Sequence, residues 1–344
     1  MAFQGSASRA FITGLSGQTI TPLERAFLRE ARPWGLIIFR RNISDPRQVA
    51  DLVGDFRDTV GWEAPVLVDQ EGGRVQRLGP PHWPAYPPGA VFSAIYDRDP
   101  ASGLAAARLG AHLIAADLKA LGIDVDCLPL ADVPVPGGDD VIGDRAYGTE
   151  PGKVAAIAGA VADGLLAGGV LPVLKHLPGH GRARADSHKE LPIVDTDRAT
   201  LEQTDFAAFR PLNKLPLGMT AHVVFSAIDA HAPATTSVTM VRDVIRGFIG
   251  FDGVLMSDDV SMGALSGTIA GRSQAALAAG CDVVLHCNGD LAEMSEVASV
   301  APELTGAAAT RAARALSMRS QGEAFDVAEA RRIFDAMIVN AMVA

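Results

Sequence analysis

Short runs of β-branched and other apolar residues alternate along the chain with longer Ala-rich segments whose apolar positions recur at helical spacing. Eight runs read as strands: residues 9–13 (RAFIT), 35–39 (GLIIF), 65–69 (PVLVD), 123–129 (IDVDCLP), 171–175 (LPVLK), 218–222 (GMTAH), 253–257 (GVLMS) and 282–286 (DVVLH). Between them, residues 21–31, 44–60, 102–121, 153–167 and 272–280 carry the helix period, with Thr21 and Ser44 placed as N-caps ahead of the first two. The alternation predicts repeated βα units around a parallel sheet. Eight strands favour a closed (β/α)8 TIM-type barrel over an open doubly wound sheet, which would show a G-x-G-x-x-G spacing after its first strand; ITGLSGQT lacks it. No linker or composition break divides the chain before about residue 304, so residues 1–304 read as a catalytic barrel. Residues 305–344 read as two C-terminal helices packed on it in the same domain. No internal repeat is visible beyond the βα rhythm.

Length and composition agree with a single core. The 344 residues exceed an average domain, yet barrels of this class run to about 250 residues before insertions. Apolar residues make up 48% and charged residues 20%, too apolar for disorder. The net charge of −10 argues against nucleic acid or an anionic membrane as partner, since phosphate binding needs a basic surface. A small neutral substrate fits better. The three cysteines, Cys127, Cys281 and Cys287, lie in apolar stretches and read as reduced core residues, which points to the cytoplasm. The first residues, MAFQGSASRAFITGLSG, lack the pattern of a signal peptide, and no stretch approaches the roughly 18 to 20 apolar residues of a membrane-spanning helix.

Polar groups gather just after the expected strands: Asp69, Glu71, Arg74 and Arg77; Asp132, Asp144 and Arg145; Lys175 and His176; His222; Asp258 and Asp259. A closed barrel aims all of these at one mouth, where active sites of this architecture sit. Any one of them taken alone reads equally well as a helix cap or a solvated loop charge. The segment LKHLPGHGRARADSHKELP (174–192) is a long irregular loop, and such loops are usually functional. His176, His180 and His188 there suggest a metal site at first, but Pro178 and Gly179 break the helix that would align the first two, so no metal is expected. Asp186 and His188 instead form a possible dyad, the carboxylate fixing the imidazole's tautomer so that it can give and take a proton. In LMSDDV (255–260), Asp258 shares pleat parity with Met256 and Asp259 with Ser257; one would face the mouth and the other cap the next segment, and periodicity leaves open which. His222 reads either as a pocket residue or as a satisfied structural histidine.

Taken together, VDQEGGRVQRL (68–78), KHLPGHGRARADSH (175–188), MTAHVVFSAID (219–229) and GVLMSDDVSMGAL (253–265) resemble glycoside hydrolase family 3, specifically its single-domain, NagZ-type branch of β-N-acetylglucosaminidases. The likeness spans nearly the whole chain, and the DSH element separates this branch from the two-domain β-glucosidases of the family. It implies that Asp258 is the nucleophile of a covalent glycosyl-enzyme and that His188 is the general acid/base with Asp186 as its partner. It further implies that Asp69, Arg77, Arg145, Lys175 and His176 bind the sugar hydroxyls. Many relatives read GHGDT where this chain has Gly179, His180, Gly181, Arg182 and Ala183; the added charges of Arg182 and Arg184 would alter loop mobility or contact an acidic peptide on the substrate.

What the resemblance implies is a retaining exo-β-N-acetylglucosaminidase, without cofactor or metal, acting as a cytoplasmic monomer on a muropeptide-derived saccharide in cell-wall recycling. Two alternatives stay open: a phosphorylase of the same glycosides, because a histidine acid/base tolerates phosphate better than a carboxylate would, and a non-catalytic sugar-binding barrel.

Overall fold

The computed structural model of the protein describes residues 8–343; residues 1–7, which open both the barrel segment and the expected leaderless N-terminus, and residue 344 lie outside the described residues. Eight parallel strands close into a barrel: β1 (Arg9–Thr13), β2 (Pro33–Ile38), β3 (Val66–Val68), β4 (Val125–Asp126), β5 (Leu171–Leu177), β6 (Leu217–Thr220), β7 (Val254–Asp259) and β8 (Val283–His286). Each strand pairs with its neighbour in sequence, and β8 returns to β1 to complete the ring. All eight overlap the expected runs. β4 is the shortest because its chain continues to Leu130 with only one further parallel bridge, to Lys175.

Alternate side chains along a strand face opposite sides of the sheet, which divides the core in two. Ile12, Leu67, Val125, Val173, Met219 and Met256 point into the lumen and pack as one cluster, while Phe11, Val66, Val68, Leu174 and Leu255 pack outward against the helices. Burying each such side chain stabilises the fold by about 1.5–3 kcal/mol.

The surrounding helices are α1 (Pro22–Ala31), α2 (Pro46–Val60), α3 (Gly89–Arg98), α4 (Pro100–Lys119), α5 (Pro151–Ala167), α6 (Arg198–Gln203), α7 (Ile269–Ala279) and α8 (Leu291–Val300). Thr21 caps α1 as expected, in a capping box with Glu24. Ser44 does not cap α2: the cap is Asp45, whose carboxylate accepts from the Gln48 amide at 3.0 Å, and Ser44 bonds to the side chains of Asp45 and Gln48. Pro46 explains the shift, since its fixed φ and missing N–H suit the first helical position. The same device moves the starts of α4 and α5 to Pro100 and Pro151, ahead of the apolar period. A π-helix, Met240–Phe248, takes the place of an α-helix between β6 and β7.

Two further helices follow the barrel. In α9 (Gly306–Ser317), Ala312, Ala315 and Leu316 join the lumen cluster and close the barrel at the ends where its strands begin. In α10 (Val327–Val343), Phe334 packs against the rings of Tyr86 and Phe92, each at 6.3 Å, on the outer side of α3 and α4. Among the described residues no helix is long and apolar enough to cross a membrane. All three cysteines are free and buried.

Candidate active site

Lumen parity carries Leu67 to Asp69 at the top of β3 and Val173 to Lys175 near the top of β5, so the two side chains converge at the mouth. Lys175 Nζ lies 2.9 Å from Asp69 Oδ1 and 2.7 Å from Glu71 Oε1. Arg77 donates to the other oxygen of Asp69 at 3.0 Å. Arg145 holds Glu71 through two parallel N–H bonds of 2.8 Å, the bidentate geometry that makes such pairs strong. Three cations thus face two carboxylates. Burial opposes ionisation of Asp69 and Glu71, but Lys175 with Arg77, and Lys175 with Arg145, hold both below the usual carboxylate range. Burial likewise opposes the charge on Lys175, and Asp69 and Glu71 more than restore it. Arg77 Nε is buried without a hydrogen-bond partner.

Beside this cluster, His176 Nδ1 lies 2.8 Å from Asp132 Oδ2, and Asp132 Oδ1 accepts the His180 amide at 2.7 Å. Burial pushes the His180 imidazole down to about 4, so it is neutral at physiological pH. Its Nε2 meets Ser187 Oγ at 3.0 Å. The loop then turns outward to Asp186 and His188, whose Oδ1 and Nδ1 are 2.8 Å apart. The same carboxylate accepts the His188 amide at 3.0 Å. Burial tends to raise the Asp186 pKa, but the His188 amide and ring, with Lys189, bring it below its ordinary value.

At the end of β7 the two acidic neighbours separate. Asp258 continues the lumen parity of Val254 and Met256. Asp259 is spent on the rim, accepting from the Ser261 amide at 3.0 Å, the Ser261 hydroxyl at 2.7 Å and the Cys287 amide at 3.1 Å. Asp258 Oδ1 accepts the Asp259 amide at 2.8 Å, which orients the carboxylate. Burial raises the Asp258 pKa, but the charges of His222 and His176, the Asp259 amide and the charge of His188 outweigh it, so the group is ionised and sits within electrostatic reach of all three imidazoles. His222 is fully buried and has a partner at each ring nitrogen, Thr235 Oγ1 at 2.7 Å and the Asp259 carbonyl at 3.0 Å. It steadies the strand end and does not border the cavity.

Asp69, Arg77, Arg145, Lys175, His176, His188 and Asp258 all border one cavity of about 200 Å³ at the barrel mouth. Asp186 stands behind His188. Two other strand-end residues, Arg74 and Asp144, pair with each other at the surface instead, at 2.9 Å. The sequence places Glu71 and Asp132 among the polar groups after the strands but gives neither a specific role, because their partners, Lys175 with Arg145 and His176, come from distant segments. Ser187, Met262 and Cys287 also line the cavity and carried no signal. Arg182 faces away from the cavity: its Nε donates to the buried Asp205 at 2.6 Å and an NH2 group to Thr204 at 3.1 Å, so of the two added arginines only Arg184 is exposed. Among the described residues no group of three His, Cys, Asp or Glu side chains is arranged to hold a metal ion, and each loop histidine is engaged by its own partner.

Known proteins resemble this chain in sequence and in fold. Residues 19–316 match the family model of the glycosyl hydrolase family 3 N-terminal domain. A β-hexosaminidase of Alkalilimnicola ehrlichii is 41% identical over 281 residues, covering 80% of this chain and 79% of its own, and one of Bordetella avium is 38% identical over 278 residues with the same coverage. NagZ from Neisseria gonorrhoeae, solved in complex with N-trifluoroacetyl-D-glucosamine, superposes with a TM-score of 0.84 at 29% identity, covering 97% of each chain. With a family model across most of its length and curated relatives at this identity, the chain belongs to glycosyl hydrolase family 3 and is a glycoside hydrolase built on a (β/α)8 barrel.

Proposed function

We propose that the enzyme is a retaining exo-β-N-acetylglucosaminidase that removes non-reducing terminal β-linked N-acetylglucosamine. The observation that carries this reading is the meeting of an ionised, lumen-facing Asp258 and the Asp186–His188 pair at one cavity walled by the Asp69–Glu71–Lys175 cluster. A cavity of about 200 Å³ is below the roughly 300–1,000 Å³ of sites that enclose drug-sized ligands, which suits one sugar ring with the aglycone projecting outward. Charged groups suit a neutral polyol, because hydrogen bonds with one ionised partner are about twice as strong as neutral ones. In this reading Asp69, Arg77, Arg145, Lys175 and His176 hold the hydroxyls.

Asp258 attacks the anomeric carbon as the bond to the aglycone oxygen breaks, and His188 delivers the proton from Nε2 to that oxygen. Nδ1–H stays on Asp186, which fixes the tautomer and stabilises the imidazolium. Neutral His188 then takes a proton from water as the water displaces Asp258, returning the β-anomer. Retaining glycosidases usually place two carboxylates about 5 Å apart for these roles; here a histidine replaces the acid/base carboxylate. The related β-hexosaminidases and the resemblance to the NagZ-type branch support a finer reading, in which the natural substrate is N-acetylglucosaminyl-1,6-anhydro-N-acetylmuramic acid and its peptide derivatives. In that reading the enzyme works as a cytoplasmic monomer in peptidoglycan recycling, and the exposed Arg184 meets an acidic peptide.

An acid/base that carries no negative charge, in place of a carboxylate, favours one second reading, phosphate in place of water as acceptor. Hydrolysis of a chromogenic β-N-acetylglucosaminide with and without phosphate, with NMR of the first-formed sugar, tests both. Release of the β-anomer supports the hydrolase, a sugar 1-phosphate the phosphorylase, and no turnover by folded protein a sugar-binding barrel.

A further inference from the structure

The loop that carries Asp186 and His188 has no regular structure of its own, so its position is set by what it rests on. At its base Arg182 is tied to Asp205, which is 1% exposed. On one flank the Asp139 amide donates to the Ala183 carbonyl at 2.7 Å. At its tip the contact is backbone on backbone: the Gly263 amide donates to the His188 carbonyl and the Ala264 amide to the Ser187 carbonyl, both at 3.2 Å. Gly263 and Ala264 lie five and six residues after Asp258, in the turn that leaves β7. The turn that follows the nucleophile therefore bears directly on the loop that holds the acid, with no side chain between them.

Residue 263 must be glycine for this approach. A Cβ there would stand 2.8 Å from the Lys189 carbonyl oxygen and 2.9 Å from that of His188, closer than real Cβ atoms come. Both obstacles are main-chain atoms and cannot rotate aside, so a side chain at 263 is relieved only by lifting residues 188–189 away from the β7 turn. Backbone torsion does not demand the glycine, because Gly263 is absent from the positive-φ residues.

We propose that Gly263 is a positioning residue for proton transfer: by docking the His188 backbone on the β7 turn, it sets the approach of the imidazole to the leaving-group oxygen. This rests on His188 as acid and Asp258 as nucleophile. The step concerned moves one proton from His188 Nε2 to the glycosidic oxygen while the C1–O bond breaks and the bond from Asp258 to C1 forms. A proton donor acts within about 2.6–3.2 Å of its acceptor, so even a small lift of the loop is costly for this step and neutral for the nucleophile.

The test is kcat/KM, which reports the first irreversible step, on two β-N-acetylglucosaminides: a dinitrophenyl glycoside, whose leaving group departs without a proton, and a methyl glycoside, whose leaving group needs one. For Gly263→Ala we expect a loss of about 10- to 100-fold on the methyl glycoside, the scale of an ångström's misplacement, with dinitrophenyl turnover near wild type. Equal losses on both substrates, or none on either, overturn the proposal. His188→Ala serves as reference: if it shows no such selectivity, the acid reading falls and this proposal with it; if it is selective and Gly263→Ala is not, only the role of Gly263 falls. Hydrogen exchange on the wild type gives a check that does not depend on the variant folding. Protection of the Gly263 and Ala264 amides is expected, and unhindered exchange at both would also overturn the proposal.

Discussion

Lys175 and His188 stand thirteen residues apart in sequence and at opposite extremes of burial. The lysine side chain is 2% exposed and has two carboxylates within 2.9 Å; the imidazole is 65% exposed and has one. Around Lys175 two buried carboxylates and two further cations form one ion-paired cluster at the barrel mouth. His188 rides on a loop held by backbone contacts, the Arg182–Asp205 ion pair and the hydrogen bond of Ser187 to the buried His180. Under the proposed mechanism the difference suits the work of each. Groups that bind a sugar in one pose gain from being fixed in advance, whereas a group that gives a proton to a departing oxygen and then takes one from incoming water needs access to both.

Substitutions that separate stability from rate test this contrast. The largest effect is expected for Asp258→Asn, which keeps the shape and removes the proposed nucleophile: a loss of at least about 10⁴-fold in kcat with little change in stability, as when an essential nucleophile is removed elsewhere. Retained turnover with release of the α-anomer would remove Asp258 from the mechanism. His188→Ala is expected to cost about 10²- to 10⁴-fold on glycosides with poor leaving groups, again with little change in melting temperature, because an exposed side chain contributes little to packing. Lys175→Met should act the other way round. It leaves Asp69 and Glu71 buried with one cation fewer, and breaking a buried pair costs about 3–5 kcal/mol, measurable by denaturant unfolding. A Lys175→Met protein as stable as wild type would break the contrast.

Acid should expose the buried half first. His180 has a folded pKa of about 4 against 6.5 for the free side chain, so between those values the unfolded chain binds the extra proton and stability falls as pH falls. The contribution is on the order of 3 kcal/mol at most, and His180→Gln should flatten the stability profile over that window. Asp69 and Glu71, both held low, add a second loss below about pH 4, where the unfolded carboxylates take up protons and the folded ones do not. Arg184→Ala is expected to give the smallest effect, a change confined to peptide-bearing substrates; equal rates on peptide-bearing and peptide-free substrates would discard its role.

Much of this was legible along the chain. The eight strands, the closed barrel and the two trailing helices follow from apolar spacing, which is a local property of the pleat and the helical turn. Asp69, Arg77, Lys175, His176, His188 and Asp258 were visible as polar residues in three of the four ordered motifs, and Arg145 as a polar group after an expected strand; they do gather at one cavity. Helix starts at prolines were less legible, because the apolar period begins a residue or more inside the cap; Ser44 was taken for Asp45 for that reason.

Other features depended on distance in space. Parity offered Asp258 and Asp259 equally until the barrel assigned the lumen to one and the Cys287 amide to the other. Glu71 meets Arg145 across 74 positions and Arg182 meets Asp205 across 23, and no local pattern announces either pair. Gly263 carries no mark of its own along the chain; the contact with residues 187–189 exists only in the folded protein. Periodicity is set by covalent geometry that repeats every few residues, so the chain displays it openly. Pairings between distant segments arise when the ring of strands closes, and they become readable at that point.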